Sequence, residues 1–208
     1  MSIAQQVYDD LIEGLRLGTY RPGDRIRAED VAKHFSVSRT PVREALSRLQ
    51  ERGLLEMTST GLSVAHLDRT SVLELYAIRE LLEGSAARFA AQHASPSDLY
   101  SMRHFAEAFE KCPDDPARVA QFNRAFHNAI YDAAHNKYLI GILAGMHDAL
   151  MLLPSTTFAV DGRQDTAVGE HRAILDAIEA RDPDAADLAA RKHIQNARDT
   201  RLGMMFQL

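Results

Sequence analysis

Three histidines, His127, His171 and His193, fall on the apolar faces of three different predicted helices, a pattern that could bind a metal ion. His127 shares its face with Asn123, Phe126, Ile130 and Ala134; His171 with Val168, Leu175 and Ile178; His193 with Ala186, Ala189, Ala190 and Ala197. A buried imidazole without partners carries a desolvation cost of roughly 1–3 kcal/mol. Three converging in one bundle therefore point to a common acceptor, most simply a divalent ion. Among the other histidines only His147 has a comparable setting. It lies between Leu143 and Met151 on a core-facing helix side and is placed to line the same cavity.

A second group sits near the start of the chain. Residues 36–53 read as a tight turn at Ser36-Val37 and then a helix that begins at Ser38 as its cap. Arg39 and Arg43 lie four apart and, with Ser47, project from one side, with Thr40 beside them. Val42, Ala45, Leu46 and Leu49 form an adjoining apolar stripe. One face of such a helix packs on a small domain while the next can enter a major groove. Arginine can donate two hydrogen bonds to guanine O6 and N7, worth roughly 1–3 kcal/mol of discrimination. Ser38 and Thr40 suit phosphate oxygens near the helix N-terminus.

The elements that must position these groups follow from periodicity and turn signals. Residues 3–17 carry Ile3, Val7, Leu11 and Leu15 at four-residue spacing, and Gly18 with Pro22-Gly23 ends that helix. Residues 29–35 form a short helix burying Val31, Ala32 and Phe35; residues 39–52 form the third, with Pro41 in its first turn and Gly53 after its end. Residues 54–58 and 62–66 around Ser59-Thr60-Gly61 read as a β-hairpin whose small polar turn can approach the minor groove, Thr60 and Gly61 above all. Three helices and a hairpin predict a winged helix-turn-helix over residues 1–67. From residue 68 to 208 the pattern is all-helical. Ser95-Pro96, Asp115-Pro116 and Asp182-Pro183 each offer a cap followed by proline, and six helices are predicted at 71–93, 96–111, 116–134, 136–153, 165–181 and 183–203. The fold class is mainly α, a winged helix-turn-helix followed by an antiparallel bundle.

Composition agrees with two soluble domains in 208 residues, 46% hydrophobic and 25% charged. No apolar run approaches the ~18 residues of a membrane span, and the acidic amphipathic start is unlike a signal peptide. A lone Cys112 excludes an internal disulfide and suits a cytoplasmic location. Residues 1–66 carry nine Lys/Arg and nine Asp/Glu, so the net charge of −5 belongs to the remainder. Seven bases against four acids within residues 25–52 leave a local positive face on a neutral domain. The modest excess favours two copies acting together.

The run Arg39-Thr40-Pro41-Val42-Arg43-Glu44-Ala45-Leu46, with Leu49 and Gly53-Leu54-Leu55, closely resembles the signature of the GntR family of bacterial transcription regulators. Gly18 to Asp24 is similar to that family's G-x-x-x-PG-[DE] turn. The resemblance implies that Ser38, Arg39 and Arg43 contact an operator. Some relatives place a further operator-contacting arginine early in the second helix, where this chain has Glu29. Residues 71–203 resemble the all-helical FCD ligand-binding domain of the FadR-type subfamily, through Arg79-Glu80-Leu81-Leu82-Glu83, Phe126-His127, Asn136, Glu170-His171-Arg172 and His193-Ile194. Six helices make it similar to the shorter VanR-like branch. In that family the metal is held by Asp or Asn with three histidines, and the correspondence falls on Asn123, His127, His171 and His193. Zinc is the first expectation, with nickel and manganese as alternatives. A neutral amide in place of a carboxylate leaves the site more positive and favours a small organic acid as effector. Arg79 either binds the same carboxylate or closes an i,i+4 salt bridge to Glu83.

The resulting expectation is a ligand-responsive transcription regulator, most simply a repressor, that binds a palindromic double-stranded operator as a homodimer and is not an enzyme. The alternative is a metal-dependent hydrolase or lyase with a DNA-binding appendage. It lacks a general base, because Glu170 adjoins His171 but points about 100° away around its helix.

Overall fold

The computed structural model describes residues 1–113 and 115–206. Among these the chain forms nine α-helices, one 3-10 turn and one two-stranded hairpin. No helix among the described residues is long and apolar enough to cross a membrane. The chain divides into two compact units, the first Met1–Asp68 with Gly145–Pro154, the second Arg69–Ala144 with the residues from Ser155 onward.

In the first unit, α1 (Ile3–Arg16) starts where the Ser2 hydroxyl accepts from the Gln5 N–H, and its buried stripe is Val7, Leu11 and Leu15 with Ala4 and Tyr8. Ile3, expected at the head of this stripe, is 55% exposed because it lies in the first turn beyond the end of the core. α2 (Ala28–His34) buries Val31 and Ala32, while Phe35 is half-buried at its C-cap. α3 (Arg39–Glu51) packs on α1 and α2 through Val42, Ala45, Leu46 and Leu49. Gly53 takes the left-handed conformation (φ 71°) that stops it.

Strands β1 (Leu55–Thr58) and β2 (Gly61–Val64) pair antiparallel, Leu55 opposite Val64 and Thr58 opposite Gly61. The segment before α2 adds a short rung, with Ile26 N–H on Leu62 C=O and Val64 N–H on Asp24 C=O. Residues 145–154 were expected within the bundle. They group instead with the first unit, because Leu152 is buried in its core, Met151 packs against that core and Asp148 pairs with Arg52.

The second unit is an α-bundle built from α4 (Arg69–His93), α5 (Pro96–Glu110), α6 (Pro116–Ala133), the first part of α7 (Lys137–Leu150), α8 (Arg163–Glu179) and α9 (Pro183–Phe206). The proline devices work as local chemistry dictates. Ser95 and Asp98 form a reciprocal capping box, Asp115 accepts from the N–H groups of Ala117 and Arg118, and Asp182 accepts from those of Asp184 and Ala185. α4 and α9 lie close along Ala86, Ala87, Ala90, Ala186 and Ala190. At Gly84 a Cβ would run into Asp187 and Arg191. Phe126, Met102, Ile174 and Ile178 fill the centre. A 3-10 turn at Thr157–Ala159, which no periodicity announces, packs on α6, α8 and α9.

Ile178 is fully buried at the centre of the bundle. Ile178→Ala should therefore cost about 2–5 kcal/mol in urea denaturation. A loss below about 1 kcal/mol would show that this position is not close-packed.

Candidate functional site

The apolar side of α3 anchors it and leaves Ser38, Arg39, Thr40, Arg43 and Ser47 exposed on the other. The chain reverses into this helix through Ser36, which takes a left-handed conformation (φ 55°), and through the Val37 N–H on Ala32 C=O at 3.0 Å. Ser38 occupies the N-cap with extended backbone, but its hydroxyl makes no capping hydrogen bond, contrary to the sequence reading. The hydroxyl of this exposed residue is thus not spent on the first-turn N–H groups, which an α-helix leaves without intrahelical partners.

Arg39 Nη1 donates to Glu29 Oε1 at 3.1 Å, so the residue standing in place of an arginine contact holds a neighbouring arginine instead. The Glu29 carboxyl lies below the usual carboxylate range, held there by its own backbone N–H and by Arg39. In the hairpin turn Thr60 is exposed, and its N–H donates to Thr58 Oγ1. Gly61 (φ 114°) lies under the Arg25 guanidinium, and a Cβ there would stand 3.4 Å from Arg25 Nε. Arg25 therefore adds a positive charge at the wing, a placement visible only once the rung through residues 24–26 is formed.

In the bundle, α6, α8 and α9 bring His127, His171 and His193 together, with one nitrogen of each within 4.8 Å of the others. All three are buried. His127 Nε2 faces His193 Nε2 at 3.1 Å. Behind each of these two imidazoles stands a carboxylate: Glu83 Oε2 lies 2.9 Å from His127 Nδ1, and Glu170 Oε2 lies 2.6 Å from His193 Nδ1. His171 is clamped between Phe126 and Phe109, with ring centroids at 4.4 and 4.6 Å. Neither of its nitrogens has a hydrogen-bond partner.

The carboxylates are themselves anchored. Arg79 gives Nε and Nη2 to Glu83 Oε1 at 2.9 and 2.8 Å, so the salt-bridge arrangement is the one present. Glu170 accepts from Arg163 Nη2 at 2.8 Å and from Asn196 Nδ2 at 2.7 Å as well as from His193. Burial pushes the Glu170 carboxyl up, but the bonds from His193, Asn196 and Arg163 outweigh it and hold its pKa at about 2. Burial lowers the His193 imidazole to about 4 despite Glu170, and lowers His171 well below its ordinary value.

These facts test whether a cation fits. A carboxylate oxygen beside each Nδ1 favours the tautomer that carries its proton there, and in that tautomer the Nε2 atoms of His127 and His193 turn lone pairs toward one another, which is repulsive without a positive centre between them. Their 3.1 Å separation is near the about 3.3 Å expected of two nitrogens on one tetrahedral ion. Asn123, one turn before His127 on α6, is half-buried, and its Oδ1 is buried without a partner. The donor set of three imidazoles and an amide oxygen suits a divalent transition ion. His147 lies in the last turns of α7, in the segment that groups with the first unit, and the histidine group does not include it.

Sequence reasoning missed Glu170 and Arg163. The wheel of α8 correctly turns Glu170 away from His171, but it carries no information about the neighbouring helix, whose His193 is the partner. Arg163 precedes the helix start expected at 165 and so was not on any face.

Residues 74–196 match the FCD domain, and residues 3–61 match the bacterial regulatory proteins of the gntR family. The chain is 31% identical over 185 residues to the uncharacterised HTH-type transcriptional regulator YdhC of Bacillus subtilis, spanning 87% of this chain and 83% of that one. It is also 31% identical over 200 residues to a probable D-xylose utilization operon transcriptional repressor of Paenarthrobacter nicotinovorans, spanning 93% and 86%. The solved structure of E. coli McbR/YncC shares the fold, with a TM-score of 0.81 at 22% identity across 100% of this chain and 98% of that one. The protein belongs to the GntR family of transcription regulators and carries an FCD domain.

Glu29→Gln releases Arg39 and removes an acid beside the exposed side of α3. Affinity for duplex DNA at low salt should rise about three- to tenfold. Unchanged binding in a fluorescence anisotropy titration would show that the Glu29–Arg39 pair does not compete with phosphate.

Proposed function

We propose that this GntR-family protein is an effector-controlled transcription regulator, most simply a repressor, acting as a homodimer on a palindromic operator. A small carboxylate bound at a metal-containing pocket in the FCD domain controls it. The observation that carries the metal reading is the confrontation of His127 and His193 Nε2 at 3.1 Å beside the unpartnered nitrogens of His171. Asn123, His127, His171 and His193 are the residues that would hold the ion. When bound, a divalent ion supplies an electrophilic anchor for an oxygen of the effector.

The surrounding residues orient rather than react. Glu83 and Glu170 lie against the rings at Nδ1, Arg79 pairs with Glu83, and Arg163 helps hold the Glu170 carboxyl below its ordinary range. Glu170, engaged by three donors, has no role left as a base, which supports regulation over hydrolysis. On the DNA side, Arg39 and Arg43 reach base edges, while Ser38, Thr40 and Ser47 take phosphate, and Thr60 and Gly61 bring the wing to the backbone or minor groove. Two such helices related by a two-fold read two half-sites. The effector changes operator affinity only by binding one arrangement of the dimer better than another, typically by 1–3 kcal/mol.

Arg43→Ala should lower specific operator affinity at least tenfold while dimerisation and metal content stay as in the wild type. Retained affinity in an electrophoretic shift would remove Arg43 from the reading surface. Separately, elemental analysis should find about one divalent ion per chain in wild-type protein, with roughly tenfold weaker retention in His171→Ala. Wild-type protein that holds no metal, and whose melting temperature ignores added Zn2+, Ni2+ and Mn2+, would overturn the metal reading.

A further inference from the structure

The bundle contains a cation whose hydrogen-bonding capacity is mostly unspent. Arg163 is 5% exposed, yet its guanidinium makes one charge-assisted bond, Nη2 to Glu170 Oε2 at 2.8 Å. Its Nε–H and its Nη1 amino group are buried and have no acceptor. Unmet donors on a buried charged group are costly to keep. The cost is compounded by position. Arg163 is the first residue of α8, and a positive charge at a helix N-terminus opposes the helix dipole. Compensation from Glu170 is incomplete, because that single carboxylate also serves His193 and Asn196.

Nor is Arg163 there by looseness of the chain. Gly162 enters the helix in a left-handed conformation (φ 74°), and Gln164 ties the first turn down by donating to the carbonyls of Phe109 and Cys112 at 3.0 and 3.1 Å. The guanidinium is also beside the histidines, since Arg163 Nη2 and His193 Nδ1 meet on the same oxygen of Glu170.

We propose that Arg163 binds the carboxylate of the effector, presenting its unpartnered N–H groups to it next to the His127, His171 and His193 cluster. This deepens the effector reading above and rests on it. A planar carboxylate matches the planar guanidinium and can take two parallel hydrogen bonds, which a lysine could not reproduce. A carboxylate there also restores the charge that Glu170 divides among three donors and answers the dipole of α8. Arg79, by contrast, spends Nε and Nη2 on Glu83 and acts through His127 as a positioning residue.

The test measures binding of malonate, succinate and tartrate, with acetate as the minimal carboxylate, by calorimetry and thermal shift on full-length protein. Metal content is determined on the same samples, so that variants are compared at equal loading. Wild type should bind at least one of the acids, and Arg163→Gln should weaken that binding ten- to a hundredfold. Arg163→Lys should recover less than a tenth of the lost affinity. Arg163→Gln protein that binds the acid as wild type does overturns the role of Arg163 and leaves the effector reading standing. Metal-loaded wild type that binds none of these acids overturns both. Should Arg163→Gln fail to fold, 15N-arginine spectra of wild type decide the matter. The Arg163 Nε–H resonance, assigned by its loss in Arg163→Lys, should shift on adding the bound acid, and an unmoved resonance at saturation refutes the proposal.

Discussion

The Glu170 carboxylate is the contact around which the interior of the bundle is arranged. One of its oxygens accepts from both His193 and Arg163, and the other accepts from Asn196. Through it, the first turn of α8 and the middle of α9 are held to a common point, and the His193 ring is fixed with Nε2 toward His127. Buried polar groups in a core are stable only as a connected network, since each donor removed from water needs its own acceptor. The bundle meets that requirement on the outer side of the imidazoles, through Glu83 and Glu170. It leaves the inner side unmet at His171 and Asn123, and that inner side is where a ligand would be received.

The first unit solves a simpler problem. A short helix must be rigid enough to present side chains to DNA while keeping one side buried. α3 does this with four apolar residues, a left-handed Ser36 in the preceding turn and a left-handed Gly53 after its end. The strand rung from residues 24–26 ties the wing to the segment leading into α2, which carries Arg25 to the wing tip. The first unit thus exposes a few polar and charged side chains on a helix whose backbone is fixed from behind.

What could be read in the sequence was local or periodic. The starts of α5, α6 and α9 were legible because a cap and the proline after it act within four residues. The convergence of His127, His171 and His193 was legible because each lies on the apolar stripe of its own helix. What failed to show depends on neighbours distant in sequence. Glu170 matters for a residue on α9, Glu29 for one ten positions on, and Arg25 for a glycine across the wing. Residues 145–154 continue the helical pattern of the bundle, and only the burial of Leu152 in the other core shows where they belong. Ser38 has the residue type and backbone of a cap, and nothing local reveals that its hydroxyl stays unused.

The alanine seam between α4 and α9 sets a dimensional tolerance. Ala86, Ala87, Ala90, Ala186 and Ala190 let the two backbones approach with almost no side-chain volume between them, and Gly84 permits the closest point. One of these helices carries Glu83, which lies beside His127, and the other carries His193, the second imidazole of the pair. A single added methyl group in the seam would have to push the two helices apart, because close-packed interiors have no room for it. The smallest residues in the bundle therefore act as its gauge blocks, setting how far the helix that carries Glu83 stands from the helix that carries His193.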